Sequence, residues 1–144
     1  MAAIRDIRAG DKAGWLPLWR GYLDFYEAPF DAEIADLSFA RLLDPTEPMF
    51  ALVAERDGAL IGIVHCILHR SMWTRGDYCY LQDLFAAPEA RGQGVGRALI
   101  EAVYARADAL GCARVYWLTQ ESNATARLLY DRVAKASGFI QYRR

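Results

Sequence analysis

Lysine, histidine and cysteine are scarce in this chain. Its 144 residues hold two lysines, two histidines and three cysteines. Cys66, Cys79 and Cys112 are odd in number and follow no spacing pattern, so they read as reduced core thiols of a cytoplasmic protein rather than a disulfide framework. No apolar run approaches the ~18 residues that would cross a bilayer, so no membrane partner is expected. The opening Met1-Ala2-Ala3-Ile4-Arg5-Asp6 lacks the apolar core of a signal peptide, which excludes export on this reading. Repeats, low-complexity tracts and Gly/Ser linkers are absent too, so a single domain over 1–144 is expected. There is no surplus of positive charge: 17 basic side chains face 18 acidic ones, which excludes a nucleic-acid footprint.

What is present is an ordinary globular balance, 54% hydrophobic and 24% charged. A domain of this size buries about 70% of the surface its unfolded chain exposes, enough to fold without staples. The near-zero net charge hides a split. Residues 1–60 carry 11 acidic and 6 basic side chains, whereas residues 61–144 carry 7 and 11. One reading is a solvated surface. The other is two ligands of opposite sign, a cation held by the first half and an anion by the second.

Hydrophobic period and turn chemistry predict the element order. Residues 3–8 alternate weakly, as a first strand does. Asp11 is placed to cap a helix in which Trp15, Trp19, Tyr22 and Tyr26 share one face, with Pro17 starting or kinking it. Asp31 caps a second helix, which ends before Pro45 and Pro48. Strands follow at 50–55 and 60–69, joined by an Asp57-Gly58 hairpin turn, and at 78–86. A helix over 94–110, a strand over 113–119, a helix over 123–136 and a short strand over 139–142 complete the chain. The order β-α-α-β-β-β-α-β-α-β implies an α/β domain whose mixed, mostly antiparallel central sheet is flanked by helices.

Between the fourth strand and the helix that follows it lies Arg91-Gly92-Gln93-Gly94-Val95-Gly96-Arg97. Glycines let a backbone approach a ligand closely, and the positive end of the following helix favours an anion. Arg91 and Arg97 add charge suited to phosphate oxygens. A diphosphate is the natural guest. The loop lacks the Gly-Lys-Ser/Thr end of a P-loop. It also lacks the third glycine of a dinucleotide-binding turn, since Arg97 or Leu99 stands where that glycine belongs.

Arg91-x-x-Gly94-x-Gly96, preceded by Leu81-Gln82-Asp83-Leu84-Phe85-Ala86-Ala87-Pro88, resembles the acyl-CoA signature of the GNAT superfamily of N-acetyltransferases. Asn123-x-x-Ala126-x-x-Leu129-Tyr130 resembles its second signature, and the match is closest to the branch that includes the spermidine/spermine acetyltransferases. The resemblance covers residues 78–139 and implies a GNAT-like fold and acetyl-CoA as co-substrate, with no metal. It implies that the amides of Gly92, Gln93, Gly94, Val95, Gly96 and Arg97 hold the pyrophosphate. Leu84, Phe85 and Ala86 would pair with the pantetheine arm, and Asn123 would bond to it, with Ala124, Thr125 and Arg127 near the CoA. Tyr130 would protonate the departing thiolate, a task that suits a phenol of pKa ~10. A solvated face for Arg127 and a core tyrosine at 130 are the structural alternatives. Many relatives pair, so a homodimer is implied.

The resemblance has one departure. Where the polyamine branch carries Leu-Glu-Asp, this chain has Leu81-Gln82-Asp83, and Gln82 cannot accept a proton at neutral pH. Strand alternation puts Gln82 and Asp83 on opposite faces. If Gln82 faces the cleft, Asp83 serves as base only if a β-bulge shifts the register. Otherwise Asp83 is a buried carboxylate paired with an arginine. His65 and His69 share a strand face on which no acidic partner is evident, so metal ligation is not expected. The stripe of Trp15, Trp19, Tyr22 and Tyr26 is core packing, or it walls a cleft that holds a cation over its rings. In the second case Asp24, Glu27 and Asp31 complete an acidic mouth. The whole implies an N-acetyltransferase acting on a primary amine of a small molecule or peptide by direct attack in a ternary complex. Its rivals are a non-catalytic acyl-CoA-binding module and a nucleotide-binding module.

Overall fold

In the computed structural model, which describes residues 2–144, five strands form one sheet in the order β1-β2-β3-β4-β5. They are β1 (Ala3–Asp6), β2 (Met49–Arg56), β3 (Ala59–His69), β4 (Tyr78–Ala86) and β5 (Arg114–Tyr116). The first four pair antiparallel, and β5 joins β4 in parallel, as a helical crossover requires. The hairpin between β2 and β3 turns through Asp57 and Gly58, at φ +53° and +78°, the backbone that an Asp-Gly pair tolerates.

Helices α1 (Lys12–Phe25) and α2 (Ala32–Leu43) cover one face of the sheet. Trp15 is fully buried there against Phe39 and His65. Helix α1 approaches β4 at Gly21, where an added Cβ would lie 2.9 Å from the Phe85 ring. Helix α3 (Val95–Ala109) covers the opposite face, packing Val95 and Leu99 over Gly62. Helix α4 (Ala124–Val133) follows β5 and is tied to α3 by the Tyr104 hydroxyl, which donates to the Val133 carbonyl at 2.7 Å. Ile63, Val64, Leu99, Ile100 and Val103 fill the two interfaces, each contributing roughly 1.5–3 kcal/mol by leaving water.

The structure departs from the sequence reading at three places. Asp31 caps α2 as expected, accepting from the Glu33 and Ile34 amides at 2.9 and 3.2 Å. Asp11 makes no cap bond to α1; its carboxylate instead takes the Arg5 guanidinium at 2.8 and 2.9 Å and the Arg8 amide at 2.7 Å. Pro17 does not start helix α1, which begins at Lys12 and continues past it. The strand expected at 139–142 is not formed. Phe139, Ile140 and Tyr142 supply the alternating pattern but are 80%, 76% and 89% exposed. A strand exists only through a partner's ladder, and the side-chain bonds of this segment are local, Phe139 N–H to Ser137 and Arg143 to Gln141.

Candidate active site

The glycine-rich loop is built as an anion cradle. Gly92 and Gly94 sit at φ +76° and +82°, and a Cβ at either would meet nothing within 4 Å. Val95 is buried and anchors the loop from below. No side chain caps α3, and its first main-chain bond runs from the Ala98 amide to the Gly94 carbonyl at 3.0 Å. The amides of Val95, Gly96 and Arg97 therefore lack intrahelical partners, at the positive end of the helix. This open, donor-rich cradle fits a CoA pyrophosphate.

The two flanking arginines, expected to add charge for phosphate oxygens, differ in their surroundings. Arg97 is paired with Glu101 at 2.9 Å, which offsets its charge. Arg91 is exposed, donates to the Ala86 carbonyl at 3.3 Å and lies 5.2 Å over the Phe85 ring. Gln93 braces the loop, donating to the Glu89 carbonyl at 3.1 Å and accepting from Arg56. Arg56 went unnoticed in the sequence because it lies 37 residues away, on the β2–β3 hairpin.

Beside the cradle, the sheet opens. Among the described residues β5 pairs with β4 only from Tyr78 to Tyr80. Beyond them the main chain of Leu84, Phe85 and Ala86 pairs with β3 on one side and has no strand on the other. That free edge suits an extended amide chain such as pantetheine. At the start of α4 the Asn123 carboxamide caps the helix, accepting from the Ala126 amide at 3.4 Å. Thr125 and Arg127 are exposed, and Arg127 donates to the Glu121 carbonyl at 2.9 Å.

Tyr130 lies on the inner side of α4, partly buried, its ring tilted 64° against Trp117 at a 5.4 Å centroid distance. The preceding Leu129 reaches the region of Gly96, so α4 rests against the start of α3. Burial raises the Tyr130 phenol above its usual pKa, and Tyr26, from the end of α1, acts in the same direction. Tyr130 is thus near both the cofactor loop and the aromatic stripe.

The stripe divides. Trp15 is core; Trp19, Tyr22 and Tyr26 are partly exposed and form a ladder. Trp15 stacks on Trp19 at 6.1 Å, Trp19 on Tyr22 at 5.3 Å, and Tyr22 meets Tyr26 at 5.0 Å. Core packing therefore holds at the Trp15 end, and the other three rings are partly open to solvent. Of the acidic mouth, Glu27 is exposed at φ +55°. Asp31 is exposed, and one of its oxygens, Oδ1, serves the α2 cap.

Asp83 corrects two further expectations. A β-bulge is present: His65 pairs with Asp83 but Cys66 pairs with Leu81, leaving Gln82 as the extra residue. Gln82 is exposed, and Asp83 is buried at 6% exposure. Its partner is not an arginine. The His65 Nδ1 lies 2.9 Å from its Oδ2, so the histidine that seemed to lack an acidic neighbour has one. The pairing was hidden because the two residues are 18 apart and meet only through the bulged register. Asp83 also raises the phenols of Tyr22, Tyr26 and Tyr80, after burial. His69 is elsewhere, bonded to the Tyr116 hydroxyl at 2.7 Å, and among the described residues no His, Cys, Asp or Glu cluster has the makings of a metal site.

A sheet edge left open beside a glycine-rich, donor-rich loop is an arrangement suited to an acyl-CoA ligand. The acetyltransferase (GNAT) family profile matches residues 15–134, and the chain belongs to this family. It is an N-acetyltransferase, of a family that uses acetyl-CoA. It is 38% identical over 143 residues to the D-amino-acid N-acetyltransferase HPA3 of Saccharomyces cerevisiae (strain ATCC 204508 / S288c), covering 98% of this chain and 89% of that protein. It is 30% identical over 141 residues to the uncharacterized N-acetyltransferase YhfO of Bacillus subtilis (strain 168), covering 96% and 94%. The fold matches that of aminoglycoside N-acetyltransferase AAC(6')-Iy in complex with CoA, with a TM-score of 0.85 at 19% identity over 100% of this chain and 95% of that one. No described helix is long and apolar enough to cross a membrane.

Proposed function

We propose that this enzyme transfers the acetyl group of acetyl-CoA to a primary amine by direct attack within a ternary complex, with Tyr130 as the acid that protonates the CoA thiolate. The observation that carries the reading is the place of Tyr130, against Trp117 on the cofactor side and close to Tyr26 on the acceptor side. Acetyl-CoA supplies the activated acyl group. The amides from Gly92 to Arg97 hold its diphosphate, and the free edge of Leu84, Phe85 and Ala86 aligns its amide arm, with Asn123, Thr125 and Arg127 alongside. A main-chain amide of that edge polarises the thioester oxygen.

On the acceptor side Trp19, Tyr22 and Tyr26 wall the amine, with Glu27 and Gln82 at the rim. Asp83 takes the proton that the ammonium group must lose before attack. A small-molecule amine fits this narrow aromatic wall, and a relative named for D-amino acids supports it. The polyamine branch gains no specific support. The reading extends to a cytoplasmic, single-domain enzyme, which three free cysteines favour, and to a homodimer, which the exposed apolar residues at 139–142 favour. Sedimentation at working concentration tests the dimer.

The test of activity is CoA thiol release from acetyl-CoA with pooled D- and L-amino acids, polyamines, aminoglycosides and lysine peptides. Release above the amine-free rate is the expected result, and splitting the pool names the acceptor class. Tight acetyl-CoA binding with no release from any pool would point instead to a binding module.

A further inference from the structure

We propose that Trp15 and His65 are positioning residues that hold Asp83 as the proton acceptor of the reaction, by fixing His65 in the tautomer that donates to it. The inference rests on the reading of Asp83 as base. It adds a buried chain of two residues that the family signatures do not contain.

An indole nitrogen can only donate. Trp15 Nε1 lies 3.0 Å from His65 Nε2, so that ring nitrogen must present its lone pair. The one proton of the neutral imidazole is then on Nδ1, 2.9 Å from Asp83 Oδ2. The chain therefore runs in one direction, Trp15 to His65 to Asp83, and ends on a carboxylate oxygen that accepts. In a serine-hydrolase triad the carboxylate orients a histidine that takes the proton. Here the histidine's acceptor nitrogen is occupied, and the carboxylate is left as the acceptor. In the step itself an N–H bond of the ammonium group breaks and an O–H bond forms on Asp83. The freed amine pair attacks the acyl carbon, and the C–N bond forms as the C–S bond breaks. The thiolate leaves with the Tyr130 proton, and the nitrogen's second proton restores the phenol.

The fold shows why this requires its particular register. In an unbulged ladder Asp83 would pair with Val64, and its side chain would point to the α3 face. The extra residue Gln82 moves it opposite His65, onto the α1 face where Trp15 and Trp19 lie. Trp15 is fully buried and His65 is 7% exposed, so water does not compete for either bond. The titratable groups facing Asp83 are His65 and Cys66 from β3, Tyr22 and Tyr26 from α1 and its end, and Tyr80 from β4.

The first test needs no turnover. Nitrogen-15 NMR of the full chain at pH 8 is expected to show His65 as the Nδ1–H tautomer, and a mixture with Nε2–H in Trp15→Phe. An Nε2–H ring in the wild type would overturn the proposal. The second uses CoA thiol release. Asp83→Asn is expected to lower kcat about 10²-fold, the worth of a positioned base. Trp15→Phe is expected to lower kcat about tenfold, the size of one hydrogen bond, with the amine KM within about twofold. In the Trp15→Phe background, His65→Asn supplies an N–H without a tautomer choice and is expected to recover part of kcat. Should Trp15→Phe not fold, the wild-type tautomer and Asp83→Asn still decide. Wild-type turnover in Asp83→Asn overturns this inference alone. No thiol release from the wild type with any pool overturns the acetyl-transfer reading, and this inference with it.

Discussion

The two sides of β4 are built on different principles. The side proposed for the cofactor offers main chain: unpaired amides from Val95 to Arg97, and the free edge of residues 84–86 beyond the end of β5. The side chains there are exposed and mostly engaged with neighbours, as Arg97 is with Glu101. The side proposed for the acceptor offers side chains, buried and locked to one another from three elements, Trp15 on α1, His65 on β3 and Asp83 on β4. Backbone recognition tolerates almost any side chain provided the glycines remain. Side-chain recognition depends on every partner. The lesson is that one strand carries both kinds of surface, and a single bulge at Gln82 separates them.

Removing the group that bridges the two sides is expected to have the largest effect. Tyr130→Phe keeps the ring against Trp117 and loses only the hydroxyl. Turnover should fall about 10²-fold while acetyl-CoA affinity, measured by calorimetry, stays within about twofold. Unchanged turnover would remove Tyr130 from the mechanism and leave the two sides unconnected.

The next contrast is confined to the cofactor side. Gly94→Val has open space for its side chain but must hold φ at +82°. The strain, about 1–2 kcal/mol, should appear as a roughly tenfold loss of acetyl-CoA affinity with the amine KM unchanged. A rise in the amine KM instead would show that the loop also shapes the acceptor cleft.

A smaller effect separates structure from charge at the mouth of the cleft. Asp31→Ala removes the α2 cap and should cost about 1 kcal/mol in urea denaturation. Asp31→Asn keeps the cap and loses the charge, and should change neither stability nor KM appreciably. Glu27→Gln, with no cap role, should raise the KM of a cationic acceptor about twofold, as a screened surface charge does. A KM rise in Asp31→Asn larger than that in Glu27→Gln would make Asp31 the stronger cation ligand of the two.

The smallest effect is a pH limb. Burial raises the Tyr130 phenol above 10.0, and the phenol acts in its protonated form. As pH rises through 10 the acid therefore remains loaded, and kcat should fall only above that point. The limb should be missing from the residual activity of Tyr130→Phe. A limb below pH 9 in the wild type would assign it to another group.

How much was legible in the sequence differs on the two sides for the same reason. The cradle is continuous in sequence, and its glycines, helix start and flanking Arg91 are local features. So are the Asp57-Gly58 turn and the Asp31 cap. The His65–Asp83 pair was illegible, because alternation read along each strand separately says nothing of how two strands register. Arg56 reaching Gln93, and Arg5 claiming Asp11 from its cap, are likewise meetings of distant residues. The strand expected at 139–142 failed in the opposite sense, since a correct local pattern met no ladder.

By itself, then, the sequence determined the α/β order, the anion cradle and the phenol at 130, because capping, turn conformation and period are written in neighbouring residues. Only the tertiary structure decided that β5 leaves β4 after Tyr80, that Asp83 turns toward α1, and that Trp15 and His65 complete its surroundings. Those outcomes depend on strand register and on helices packing across the sheet, where the energy comes from contacts between residues far apart in the chain.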